Sequence, residues 1–190
     1  QTQQGPAATA VGHRAGREGQ LQGAVAVGYL AGNYDQGFRA VAVGDSAGKT
    51  EQSMDAVAVG NSSGETSQGQ AAVAVGWRAG QVGQSQEAVA VGRDAGNTNQ
   101  GPAAIAIGLS AGLTGQGESA IALGSDAGRT TQGLYAVAIG EEAGANVQSQ
   151  DSIAIGHLAG SDQQSTSCVA IGVHAGRTSQ SMDGIAIGNT

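Results

Sequence analysis

A glycine at every sixteenth residue constrains this chain more than any other feature. Gly12, Gly28, Gly44 and their successors to Gly188 recur twelve times with no insertion or deletion, and most close an apolar run such as Ala24-Val25-Ala26-Val27 or Ala40-Val41-Ala42-Val43. A second glycine follows four residues later, from Gly16 to Gly176, preceded by alanine in every unit except the one carrying Ser63. A glutamine completes the unit from Gln4 to Gln180 without exception. Such constancy requires every unit to do the same geometric job beside its neighbours, so the chain is a repeat array and a single domain over residues 1–190. It starts and stops inside a repeat, which reads as a segment of a longer protein.

The unit is too short and too rich in glycine for helices. Residues 40 to 43 alternate Ala and Val, and a period of two places the alanines on one face of a strand and the valines on the other. Gly44 ends the strand, either turning the chain with positive φ or letting it pass close to another backbone. Positions 45 and 46 vary from unit to unit and read as solvent-facing. Ala47-Gly48 marks a second tight place, and a further short strand leads to Gln52. Two short strands and two turns make one coil of a parallel β-solenoid or β-roll of about twelve coils. Stacked at roughly 4.8 Å, these form a rod on the order of 55 Å long.

Composition removes the alternatives. Thirty-four glycines, 3% aromatic residues and 12% charged residues leave little with which to fill a globular core. Two prolines exclude collagen, and in-register β-formers argue against disorder. A net charge of −7 without a basic stripe argues against nucleic acid as a partner. No apolar run is long enough for a membrane span. Cys168 stands in an alanine column and reads as a small buried residue, so no disulfide framework exists.

Stacked coils place each side chain on its counterpart. The sequence therefore predicts a structural core ladder of Val25, Val27, Val41, Val43, Ile105, Ile107, Ile153 and Ile155, with an amide ladder of Gln36, Gln52, Gln68, Gln84, Gln100 and Gln116. Valine gives way to isoleucine along the rod, and the first coil, with Thr9 in place of valine, is the weakest. Such an interior is thin, and something else must cover apolar surface. The unbroken alanine column, with Ala26, Ala42, Ala58, Ala74, Ala90, Ala106 and Ala122, is the expected small-residue interface between parallel copies of the chain.

The units Ser152-Ile153-Ala154-Ile155-Gly156 and Ala104-Ile105-Ala106-Ile107-Gly108 resemble the head repeats of trimeric autotransporter adhesins of the YadA type. That resemblance implies a left-handed parallel β-roll, three chains side by side, and a role in attachment at a cell surface. Similar repeats occur in viral and phage fibres, which implies a shaft without receptor binding as the alternative. The sixteen-residue period and the Ala-Gly and Gln columns set this chain apart from the usual head repeat.

No catalytic, cofactor or metal constellation is legible. His13, His157 and His174 fall in variable positions with no partner at a repeating offset, and the glycines match neither a dinucleotide nor a P-loop fingerprint. A column with Thr50, Thr66, Thr98, Thr114 and Thr130 is too narrow and interrupted for ice binding. The expectation is a non-enzymatic, extracellular, homotrimeric rod for attachment or display. Its partners are itself and a host-surface protein or glycan.

Overall fold

A computed structural model describes residues 2–189. It contains twenty-four strands of three residues each, arranged as two twelve-stranded parallel sheets. One sheet is built from segments such as Thr50–Gln52 and is called here the Gln sheet; the other, from segments such as Val41–Val43, is the Val sheet. Successive strands in the chain alternate between sheets, so each coil contributes one strand to each. The register is exact to the repeat: Val41 pairs with Val57, Ala42 with Ala58 and Val43 with Val59. The chain is therefore a β-solenoid whose twelve strands per sheet are separated by eleven coil steps of sixteen residues.

The turns are stitched together as tightly as the strands. Val41 N donates to Ala56 O of the following coil at 2.9 Å, while Gly60 N donates back to Val43 O at 2.8 Å. At the bends, Ser62 N donates to Asp45 O at 2.8 Å, Asp55 N to Phe38 O at 2.9 Å and Gly48 N to Ser63 O at 2.9 Å. Backbone groups that an ordinary loop would give to water are here paired between coils, which leaves little slack in the rod.

Such stacking demands unusual dihedrals. Among the described residues, thirty that are not glycine have positive φ, all between 43° and 60°. They recur at three places per coil, as at Ser46 (56°), Glu51 (55°) and Asp55 (60°). The middle residue of most Gln-sheet strands is one of them, and in three others it is a glycine of positive φ (Gly19, Gly83 and Gly115), so these strands are arcs in which the outer residues pair, as in Thr50↔Thr66 and Gln52↔Gln68. The two repeated glycines meet stricter demands. At Gly60, φ is 128° and an added Cβ would lie 2.6 Å from Gly76 O. At Gly48, φ is 49° and a Cβ would lie 2.7 Å from the Gln52 amide carbon.

Candidate functional site

The interior of each coil is alanine and glutamine. Ala40, Ala42 and Ala47 are fully buried, as are their counterparts through most of the rod, and Gln52 is 1% exposed. The glutamine amide crosses from its own sheet to the other. Gln52 Nε2 reaches Val41 O at 2.9 Å and Ala56 O at 3.3 Å, and also Oε1 of Gln68 in the following coil at 3.1 Å. Amide-to-amide bonds of this kind run from Gln20 to Gln100 and from Gln116 to Gln180, with Gln116 Oε1 buried and unpartnered where the series is interrupted. Cys168 lies in the same interior, fully buried in a column otherwise mostly alanine.

This geometry corrects two expectations about orientation. Ala26, Ala42, Ala58, Ala74, Ala90, Ala106 and Ala122 are each 0% exposed within one chain, so they cannot form an interface with another copy. Conversely, Val25, Val27, Val41, Val43, Ile105, Ile107, Ile153 and Ile155 form in-register ladders, but on the outside of the coil. Strand Val41–Val43 shows the alternation, with the central alanine buried and both valines only half-buried. The physical reason is thickness. With the Gln side chain filling the space between sheets, only a methyl group fits opposite it.

The result is an apolar face on the outside of the coil. Two side chains per coil point outward from the Val sheet, from Thr9 and Val11 to Ile185 and Ile187, and apart from Thr9 and Leu123 all are valine or isoleucine. None carries charge, although the chain as a whole carries −7. Ile107 is 38% exposed, Leu123 41% and Ile171 37%. Eleven coil steps at ~4.8 Å and two side chains of width give a flat strip on the order of 500 Å², the size of the largest apolar patch on an ordinary monomer.

The other surfaces are irregular, mixing polar and charged groups with scattered exposed apolar side chains such as Leu21, Phe38, Trp77 and Leu134. On the Gln-sheet edge, Lys49 Nζ lies 3.3 Å from Glu65 Oε1, Gln81 Nε2 donates to Glu65 Oε2 at 2.8 Å, and Asn97 Nδ2 donates to Gln81 Oε1 at 3.2 Å. On the opposite rim, Arg39 clasps Asp55 with contacts of 2.6 and 2.7 Å. The histidines take part in ring contacts: His13 stacks on Tyr29, and His157 meets His174 edge-on, both at 5.5 Å. Among the described residues no group of three or more His, Cys, Asp or Glu side chains is placed to hold a metal ion. No protein-family model, curated protein or solved structure matches the chain.

Proposed function

We propose that the chain is a non-enzymatic structural and adhesive module: a rigid extracellular rod, wound left-handed and assembled as a homotrimer, that mediates attachment or display at a cell or virion surface. The observation that carries this reading is the uncharged Val/Ile face left uncovered along the whole rod. A strip of that size in contact with water favours association. Its ridges recur at every coil step, so the surface that matches it along its full length is another rod of the same step, a further copy of this chain. Parallel copies would then meet valine to valine, burying on each chain two flanks of the strip and leaving the variable rims outward.

Display follows from the same construction. Positions such as Tyr29, Asp45, Asn61 and Trp77 take different side chains at identical places in successive coils, each held at a fixed height by paired backbone. A stiff rod presenting such positions in three copies gains avidity that single contacts lack. Sedimentation equilibrium or native mass measurement tests the assembly, with three chains per particle expected; a stable monomer at micromolar concentration would overturn it.

A further inference from the structure

Of the eight aromatic and imidazole rings in the chain, five lie on the rim that follows the Val sheet: His13, Tyr29, Trp77 and His157 directly after the strand-closing glycine, and His174 one place later. We propose that the stretch of this rim between Tyr29 and Trp77 is a glycan-binding site, taking a neutral, linear pyranose chain laid along the rod. The proposal rests on the rod reading for its geometry and names the ligand class of its adhesive surface.

Tyr29, Asp45, Asn61 and Trp77 hold the same place in four consecutive coils. The two aromatic residues therefore stand three coil steps apart, roughly 14 Å, with the two short polar side chains between them. Both rings project, Tyr29 being 50% and Trp77 45% exposed. His13 stacks on one face of Tyr29, with ring centroids 5.5 Å apart and planes within 10° of parallel. The Arg78 guanidinium sits 4.9 Å from the Trp77 ring and covers one side of it. Each ring is thus held by a neighbour on one side while about half of the residue stays open to a ligand. The floor between them offers hydrogen-bonding groups at its edges: Asp45, whose Oδ1 already accepts from Ser46 Oγ at 2.8 Å, and Asn61.

Pyranoses match this arrangement. Their C–H faces pack against aromatic rings, while their ring-edge hydroxyls donate to carboxylates and exchange hydrogen bonds with amides. An extended pyranose chain advances by about one sugar per coil step, so successive sugars meet successive coils. A peptide strand fits less well, because the turn backbone it would need is already engaged between coils, as in Ser62 N to Asp45 O and Arg78 N to Asn61 O. The affinity of one such open site is low, and repetition over copies raises it.

Calorimetric titration of the full chain with cellohexaose, chitohexaose and maltohexaose tests the proposal. Saturable binding to at least one is expected, weakened about tenfold or more by Tyr29→Ala and by Trp77→Ala. Tyr135→Ala removes a ring equally exposed (50%) on the opposite rim and should change nothing. All three variants remove exposed side chains, so their melting temperatures should equal that of the parent. No binding to any of the three hexasaccharides at millimolar concentration, or an equal loss in Tyr135→Ala, overturns the site. Sedimentation of the same samples separates the two readings: intact trimers that bind no glycan sink this site and leave the rod standing.

Discussion

Gln36 and Gln52 are joined inside the rod by an amide hydrogen bond, Nε2 to Oε1, at 3.1 Å. The same Gln36 Nε2 faces Val25 O at 2.8 Å and Ala40 O at 3.3 Å. One primary amide therefore links two coils along the axis and two sheets across it. Only glutamine has this reach together with both a donor and an acceptor, which accounts for a column without exception. The same amide fixes its neighbours. It excludes a Cβ at the glycine four residues before it and leaves room for no more than methyl groups on the facing strand.

Gln84→Glu should show what the donor contributes. Gln84 Nε2 is directed at Val73 O (2.9 Å), Ala88 O (3.2 Å) and Gln100 Oε1 (3.1 Å), so a carboxylate there would confront three acceptors with none of its own protons. The expected loss at neutral pH is roughly 3–5 kcal/mol. A buried carboxyl in this setting has a raised pKa in the fold, so the deficit grows as pH rises above the unfolded value of about 4.3 and shrinks below it. Melting curves at neutral and acidic pH check this; a pH-independent deficit would contradict it.

Ala106→Leu and Ser110→Leu separate interior from rim. Ala106 is fully buried beneath the amides, whereas Ser110 lies in the variable turn. The first should destabilise the single-chain fold by about 3 kcal/mol or more, or prevent folding, because three extra carbons have no place to go. The second should cost under about 1 kcal/mol. Denaturant melts of the two variants decide the matter, and equal stability would refute the orientation described here.

The period, the two strands per coil, both glycines and the stacked glutamines were all legible in the sequence, because each is a repeated residue with a single steric or hydrogen-bonding explanation. The direction of the Ala/Val alternation was not. Alternation states that two faces differ without saying which is inside, and the larger hydrocarbon is the natural choice for a core. The corrective signal was variation. The column of Ala42 and Ala106 never changes, while that of Val43 admits Ile107 and Leu123, the freedom of a side chain with open space before it. The left-handed positions at Ser46, Glu51 and Asp55 left only a faint trace, glycine at Gly19, Gly23, Gly83 and Gly115, since hydrogen bonding between coils holds the others without it.

Val147 is the place where that backbone demand is least well met. It is β-branched, 46% exposed, and held at φ 49° in a column where Gly19, Gly83 and Gly115 serve other coils. The left-handed conformation costs an L-residue roughly 1–2 kcal/mol, part of which glycine returns through its freer unfolded chain. Val147→Gly should therefore stabilise the rod by about 0.5–1 kcal/mol. A lowered melting midpoint would show that the valine side chain makes up for its strain.

Acid should loosen the polar edge at Glu65. Burial there works against the charged carboxylate, but hydrogen bonds from Gln81 and Lys49, together with the Lys49 charge, outweigh it and hold the carboxyl below its ordinary value. A depressed carboxyl stabilises the fold above the unfolded pKa, and that contribution disappears as pH falls through the folded value. The effect is of the order of tenths of a kcal/mol, as for partly exposed pairs. Melting temperature followed from neutral pH downward should fall less steeply in Glu65→Gln than in the parent; parallel curves would remove Glu65 from the account.

Leu123 and Leu134 provide a matched pair for the assembly itself. They are 41% and 42% exposed, so a lysine at either site is tolerated by an isolated coil to the same degree, but Leu123 lies within the Val/Ile face and Leu134 on the rim. If copies meet through that face, Leu123→Lys brings like charges together in a dry contact that has no acid to receive them, and association should weaken by two orders of magnitude or more while the single-chain fold survives. Leu134→Lys should leave association unchanged. Sedimentation across a concentration series, with circular dichroism to show that both variants keep their sheets, reads the difference. A Leu123→Lys rod that assembles as well as the parent would place the interface elsewhere, since Leu123 lies well inside the strip with Ile107 and Ile139 on either side of it.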